Sequence, residues 1–218
     1  AGQPADDGLA PSDPGAMAGA EAADPEALFQ RALRRMENLS LTGTPDPVEV
    51  DAIRDMLSRA ADEGHGGALN MLGTIASSDG SGDMAPAIAF FERAHAAGDA
   101  SGTVNLGVAL LHAGTHAEQQ RGIDILRDFL ARDGLDETLS GLASGYLGYA
   151  VSAGAGGRAV DYDQGLELLL LGHAADPENV DFNYMLGRHY ESGTAIPADP
   201  AAAAQYFIAA GEAGHAIA

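Results

Sequence analysis

The feature that most constrains this chain is a short pattern that returns four times. A small or apolar residue is followed, after three residues, by Leu-Gly. It runs from Ala68 to Leu72-Gly73, Gly102 to Leu106-Gly107, Ala143 to Leu147-Gly148 and Phe182 to Leu186-Gly187. The leucines are 34, 41 and 39 residues apart. Periods in that range belong to α-solenoids, in which each unit is a helix pair that buries its apolar face only against its neighbours. An all-α fold follows, one elongated body rather than two domains.

The rest of the chain divides accordingly. Residues 1–24 carry Pro4, Pro11 and Pro14 and lack helical periodicity, so they form an extended or flexible lead. Asp24-Pro25-Glu26 is a helix start, with Asp as cap and Pro at the first helical position. Leu28, Phe29, Ala32, Leu33 and Met36 give that helix one apolar face, and it should end near Gly43. Asp46-Pro47 opens a second helix, with Val50, Ile53, Leu57 and Ala60 on one face, ending at Gly64. This first pair, residues 25–64, lacks the Leu-Gly mark, as terminal solenoid units often do.

Four marked pairs follow over residues 65–218. Their expected helices are Gly67 to Ser78 with Pro86 to Ala97, Ser101 to Ala113 with Glu118 to Arg132, Glu137 to Ala153 with Tyr162 to Ala175, and Pro177 to Ser192 with Pro200 to Ala213. Gly98, Gly114, Gly134, Gly154, Gly193 and Gly214 suit left-handed helix caps. The Gly of each Leu-Gly lies inside a helix, where it costs roughly 1 kcal/mol relative to Ala. A cost repeated four times implies a repeated reason. The expected one is that the second helix of each unit presses where a Cβ would stand.

The last unit carries a family signature. It reads Leu186-Gly187-Arg188-His189-Tyr190-Glu191-Ser192-Gly193, Ile196-Pro197-Ala198-Asp199, Ala204-Gln205-Tyr206-Phe207, Ala210 and Gly214-His215-Ala216. This resembles a Sel1-like repeat, a relative of the tetratricopeptide repeat. Asp83 with Ala87, Phe90, Phe91 and Ala94, then Gly98-Asp99-Ala100, repeats its second half. Asp163 with Leu166, Leu169 and Leu170 is a degenerate version. The unit at Leu106 departs further, with Gln120 at the turn Asp position and only Phe129 aromatic in its second helix. The resemblance implies a right-handed α-solenoid of antiparallel helix pairs whose first helices line the concave face. It also implies a non-catalytic scaffold or adaptor, as in secretion, polysaccharide export, flagellar assembly and membrane-protein quality control.

On that geometry, residues two before and two after each Leu face the groove: Asn70 and Thr74, Val104 and Val108, Gly145 and Tyr149, Tyr184 and Arg188. His112, Ser152 and Glu191 follow one turn later. Tyr149, Tyr184 and Arg188 are the expected anchors, because Tyr and Arg dominate protein-interface energetics. For the tyrosines the competing reading is packing between repeats.

Composition narrows the partner. The formal net charge is −21, and all 11 basic residues are Arg. Nucleic acid would be repelled, and a protein with a basic patch is favoured. Cys is absent, which excludes disulfides and thiolate metal sites. No apolar run is long enough to span a bilayer. Beginning at Ala1 with a Pro-rich stretch fits a spacer behind a removed signal peptide or an anchor. We therefore expect a periplasmic or otherwise exported protein, possible membership of a membrane-associated complex, and a cytoplasmic location as the alternative.

Other motifs weigh less. Asp79-Gly80-Ser81-Gly82-Asp83 begins like a calcium loop, but Phe90 stands where the closing carboxylate belongs. His112 and His116 have zinc spacing, yet Gly114 and Thr115 between them mark a helix end. Gly154-Ala155-Gly156-Gly157 lacks the Lys of a phosphate loop. Neither metal nor cofactor is expected. Arg31, Arg34 and Arg35 form the basic cluster, a solvated face or a docking point for an acidic neighbour. The function expected is an adaptor or regulatory factor of a bacterial envelope complex. The alternatives are a periplasmic inhibitor of a sensor, an accessory subunit of a membrane complex, and a hydrolase whose His, Asp and Ser converge in the groove.

Overall fold

The computed structural model describes residues 24–42 and 46–212. The N-terminal lead, the end near Gly43 and the Gly214-His215-Ala216 exit lie outside the described residues. Among the described residues there are ten α-helices: α1 Pro25–Thr42, α2 Pro47–Asp62, α3 Gly66–Ser77, α4 Ala85–Ala96, α5 Ala100–His112, α6 His116–Leu130, α7 Glu137–Ala153, α8 Tyr162–Ala175, α9 Val180–Ser192 and α10 Pro200–Glu212. A short 3-10 turn, Ala155–Gly157, follows α7. The predicted elements are all found, most within two residues of the expected bounds.

Capping residues set the boundaries. Asp46, Asp99, Asp136 and Asp161 each accept a first-turn N–H at α2, α5, α7 and α8. Two expectations are corrected on this ground. Helix α9 starts at Val180 rather than Pro177, because Asn179 accepts from the N–H groups of Asp181 and Phe182. Helix α6 starts at His116 rather than Glu118, because Thr115 accepts from the Glu118 N–H. At the C-terminal ends, Gly98, Gly114, Gly134, Gly154 and Gly193 all take positive φ, between 64° and 90°.

The helices pack in sequential pairs, α1 with α2 through α9 with α10. Each helical Gly of a Leu-Gly mark meets the second helix of its own unit. A Cβ on Gly73 would stand 2.5 Å from the Phe91 ring, on Gly107 2.7 Å from the Leu126 side chain, and on Gly187 2.6 Å from the Phe207 ring. On Gly148 it would stand 2.6 Å from the backbone N of Leu169. The repeated glycine therefore has the close-approach reason its pattern implied. In the α7–α8 pair the approach is backbone to backbone, with Gly141, Gly145 and Gly148 on one side and Gly165 and Gly172 on the other.

The leucines of the marks point into the core. Leu106 and Leu186 are fully buried, and Leu72 and Leu147 nearly so. Each such side chain contributes roughly 1.5–3 kcal/mol. Buried clusters run the length of the stack rather than converging at one centre. The atypical first pair is held together by charge as well as by Leu28, Ala32 and Leu57. Arg35 donates two hydrogen bonds to Glu49, at 2.5 and 2.6 Å. Of the basic cluster, this Arg joins α1 to α2, while Arg31 and Arg34 are exposed. No described helix is long and apolar enough to cross a membrane.

First helices also touch across units: α3 with α5, α5 with α7, α7 with α9. Among the described residues, the second helices make no comparable contact with one another. The first-helix side is therefore the tighter, concave side of the curve.

Candidate binding face

The concave strip begins at α3. Asn70 is half-buried, and its Oδ1 accepts from Asn105 Nδ2 at 2.8 Å, which ties α3 to α5. Thr74 is exposed, with its hydroxyl donated back to the Asn70 carbonyl. Thr74, Val108 and His112 line a depression of about 180 Å³ floored by Met84, Phe91 and Ala109. This hollow is apolar apart from its rim.

His112 is the hinge between this hollow and the next. Its ring stands 6.4 Å from Tyr146 and 6.3 Å from Tyr149, centroid to centroid. Its Nε2 lies 3.7 Å from the Asp181 carboxylate of α9. Three first helices, α5, α7 and α9, thus meet through one histidine. Beyond Tyr149 opens a second cavity of about 380 Å³, lined by Tyr149 and Ser152 of α7, Val160 and Tyr162 at the start of α8, and Tyr184 and Arg188 of α9. Arg188 donates to the Tyr184 hydroxyl at 3.4 Å and lies 3.7 Å from Glu191. Burial, with the Asp181 carboxylate and Tyr184 adding to it, raises the Tyr149 phenol above its ordinary pKa, so this wall stays neutral.

Of the eleven groove positions named from sequence, seven (Thr74, Val108, His112, Tyr149, Ser152, Tyr184 and Arg188) line two depressions that adjoin at the His112–Tyr149 contact, and Asn70 reaches them through Asn105. Two flanking positions are corrected. Val104 is 3% exposed and packs into the core between α5 and α7. Gly145 lies under α8 and the Phe182 ring. Ser152 lines the second cavity as expected, though it is 4% exposed. The straight count of two before and two after ignores the rotation of each helix about its axis, which turns Val104 and Gly145 inward. Sequence reasoning missed Asn105, Tyr146, Tyr162 and Asp181. Tyr162 was out of reach because it belongs to a second helix, brought round by the loop after α7.

That loop is held by the residue that spoils the repeat pattern. Gln119 Oε1 accepts from the Gly156 N–H at 2.9 Å, and Gln120 Oε1 accepts from Arg158 Nε at 2.9 Å. The departure at Gln120 is thus a clamp between units. The calcium-like segment is an Asx turn between α3 and α4, with Asp79 accepting from the Ser81 N–H at 2.8 Å. His112 and His116 sit on different helices, α5 and α6. Among the described residues no group of three His, Cys, Asp or Glu is placed to hold a metal.

One Ser–His pair does occur. Ser152 Oγ and His189 Nε2 are 2.9 Å apart, and His189 is 2% exposed. No described group pairs with His189 Nδ1, so no carboxylate orients the ring as a hydrolytic triad requires. Tyr162 packs edge-on against the ring at 5.8 Å. The pair bridges α7 to α9, and burial pushes the His189 pKa below its ordinary value. The unfolded chain then binds a proton that the folded chain resists. Stability is complete above the unfolded value of about 6.5 and falls as pH drops from there towards the lower folded value. Urea titrations between pH 7.5 and 5 should show this loss, and His189→Leu should flatten that part of the slope. An unchanged slope in the variant would remove His189 as the cause.

No protein-family model matches the chain, and no curated protein matches it. Solved structures do. A protective antigen from uropathogenic Escherichia coli strains, displaying an SLR fold, superposes with a TM-score of 0.64 at 20% identity over 89% of this chain. The match spans 41% of that antigen, about two fifths of its length. A Sel1 repeat protein from Oxalobacter formigenes gives 0.56 at 17% identity, covering 91% of this chain and 77% of the other. A protein from Klebsiella pneumoniae described as a sel1 repeat protein gives 0.55 at 22% identity, covering 91% of each. The chain is an α-solenoid with the Sel1-repeat fold.

Proposed function

We propose that this chain is a non-catalytic scaffold that holds a protein partner along its concave face. The observation that carries this is the succession of two depressions along α3, α5, α7 and α9, adjoining where His112 meets Tyr149. Four helices from four units contribute, so a bound segment would tie the solenoid into one rigid arc. Aromatic and Arg side chains at the centre, with exposed polar groups at the edges, match the anatomy of a protein-binding hot spot. The Sel1-repeat fold supports a scaffold, and the net charge of −21 supports a partner with a basic patch. We place it as an adaptor or regulatory factor of a bacterial envelope complex, exported to the periplasm.

Site-specific photocrosslinking tests the face. Crosslinkers at Thr74, Val108 and Tyr184 should give the same adduct in envelope preparations of the native organism. Crosslinkers at Asp124 and Glu167, on the exposed sides of α6 and α8, should not. Equal adducts from both sets, or none from the concave set, would overturn the reading.

A further inference from the structure

The larger cavity has a sign. We propose that the cavity walled by Tyr149, Tyr162 and Tyr184 takes the cationic head of an Arg or Lys side chain carried by the protein partner. This rests on the scaffold reading and names what its central cavity binds. Four observations converge. Three phenol rings from three helices line one space of about 380 Å³, and aromatic faces attract a cation within about 6 Å of a ring centre. The C-terminal ends of α7 and α9 open onto that space through Ala153 and Ser192; each such end carries roughly half a negative charge.

Carboxylates neighbour three of the lining residues, Tyr162, Arg188 and Tyr149. Asp161 and Asp163 flank Tyr162 in the chain, Glu191 stands beside Arg188, and the Asp181 charge reaches Tyr149. Against these stands Arg188, the one Arg or carboxylate side chain that lines the cavity itself, with Glu191 3.7 Å away and its guanidinium donating to the Tyr184 hydroxyl. Arg158, the other nearby cation, points to Gln120. The four carboxylates named outnumber the two arginines, inside a molecule of net charge −21. Towards a cation in this cavity Arg188 presents a like charge. It opposes the ligand, and it positions Tyr184.

The test reads the sign of that effect. The probes are N-acetyl-arginine amide and N-acetyl-glutamate amide, titrated into the whole protein with its tyrosine rings isotopically labelled for NMR. The arginine probe should shift the rings of Tyr149, Tyr162 and Tyr184 selectively and lose affinity with added salt. Arg188→Gln should tighten it by roughly three- to fivefold, the loss of one screened like charge. Tyr184→Ala should weaken it, with the circular-dichroism melt unchanged as the check on folding. A preference for the glutamate probe, or loss of binding in Arg188→Gln, would overturn the proposal. So would shifts spread over all the tyrosines. If concave-face crosslinks persist while the arginine probe fails, the scaffold reading stands and this cavity assignment falls.

Discussion

Phe182→Ala is expected to destabilise the protein by about 3–5 kcal/mol, the usual cost of emptying a buried aromatic site. The loss should fall first on the last helix pair. Phe182 is fully buried, and its ring meets Tyr146 edge-on at 4.9 Å between centroids. The ring also lies against Gly145 of α7 and Gly172 of α8, where no side chain can move in to fill the space. It is the plug between the third marked unit and the fourth. Solenoid stability is a sum of unit and nearest-neighbour terms, so removing one interface leaves distant units intact. Hydrogen exchange read by mass spectrometry should show α9 and α10 losing protection while α3 and α4 keep theirs. Uniform loss along the chain, or a change under about 1 kcal/mol in urea titration, would contradict this picture.

The second large effect separates two glycines that look alike in the sequence. Gly148→Ala should destabilise by roughly 2 kcal/mol or more, overpacking exceeding the gain of about 1 kcal/mol in helix propensity. Its Cβ would sit 2.6 Å from the Leu169 backbone N and 2.7 Å from the Gly165 carbonyl oxygen, atoms that move only if α8 moves. Gly187→Ala meets the Phe207 ring at 2.6 Å instead. That ring is half-buried near the end of the described stack and can rotate away. Its net change should lie within about 1 kcal/mol of neutral, since the same propensity gain offsets a smaller strain. Calorimetric melts of the two variants check the contrast. Equal losses would show that the identity of the clashing atom, backbone or ring, does not decide the cost.

These two positions also show how much was legible beforehand. Gly148 and Gly187 occupy the same place in the repeat, and the reason for a glycine there, close helix approach, was readable from recurrence alone. What each glycine approaches was not. Period and capping residues are local properties, so the helices, their pairing and most of their ends followed from one-dimensional pattern. The exceptions were local as well: the helices begin after Asn179 and Thr115, whose side-chain oxygens satisfy first-turn N–H groups of α9 and α6.

The binding face was legible in outline. Thr74, Val108, His112, Tyr149, Tyr184 and Arg188 fall where counting from each Leu puts them. Val104 and Gly145 do not, because a helix rotated by part of a turn exchanges groove for core. The cross-unit partners were beyond reach for a different reason. Asp181 with His112, and Tyr162 with the two groove tyrosines, are far apart in sequence and joined only by the curvature of the stack.

The sequence by itself determined a chain of helix pairs, since period and capping depend on residues within one repeat. Only the tertiary structure decided that α7 and α8 touch through their backbones, that His112 gathers three units, and that Arg188 shares a cavity with three tyrosines. Those outcomes depend on the rotation and stacking of neighbouring units. No single repeat carries that information, because each buries its face only against the next.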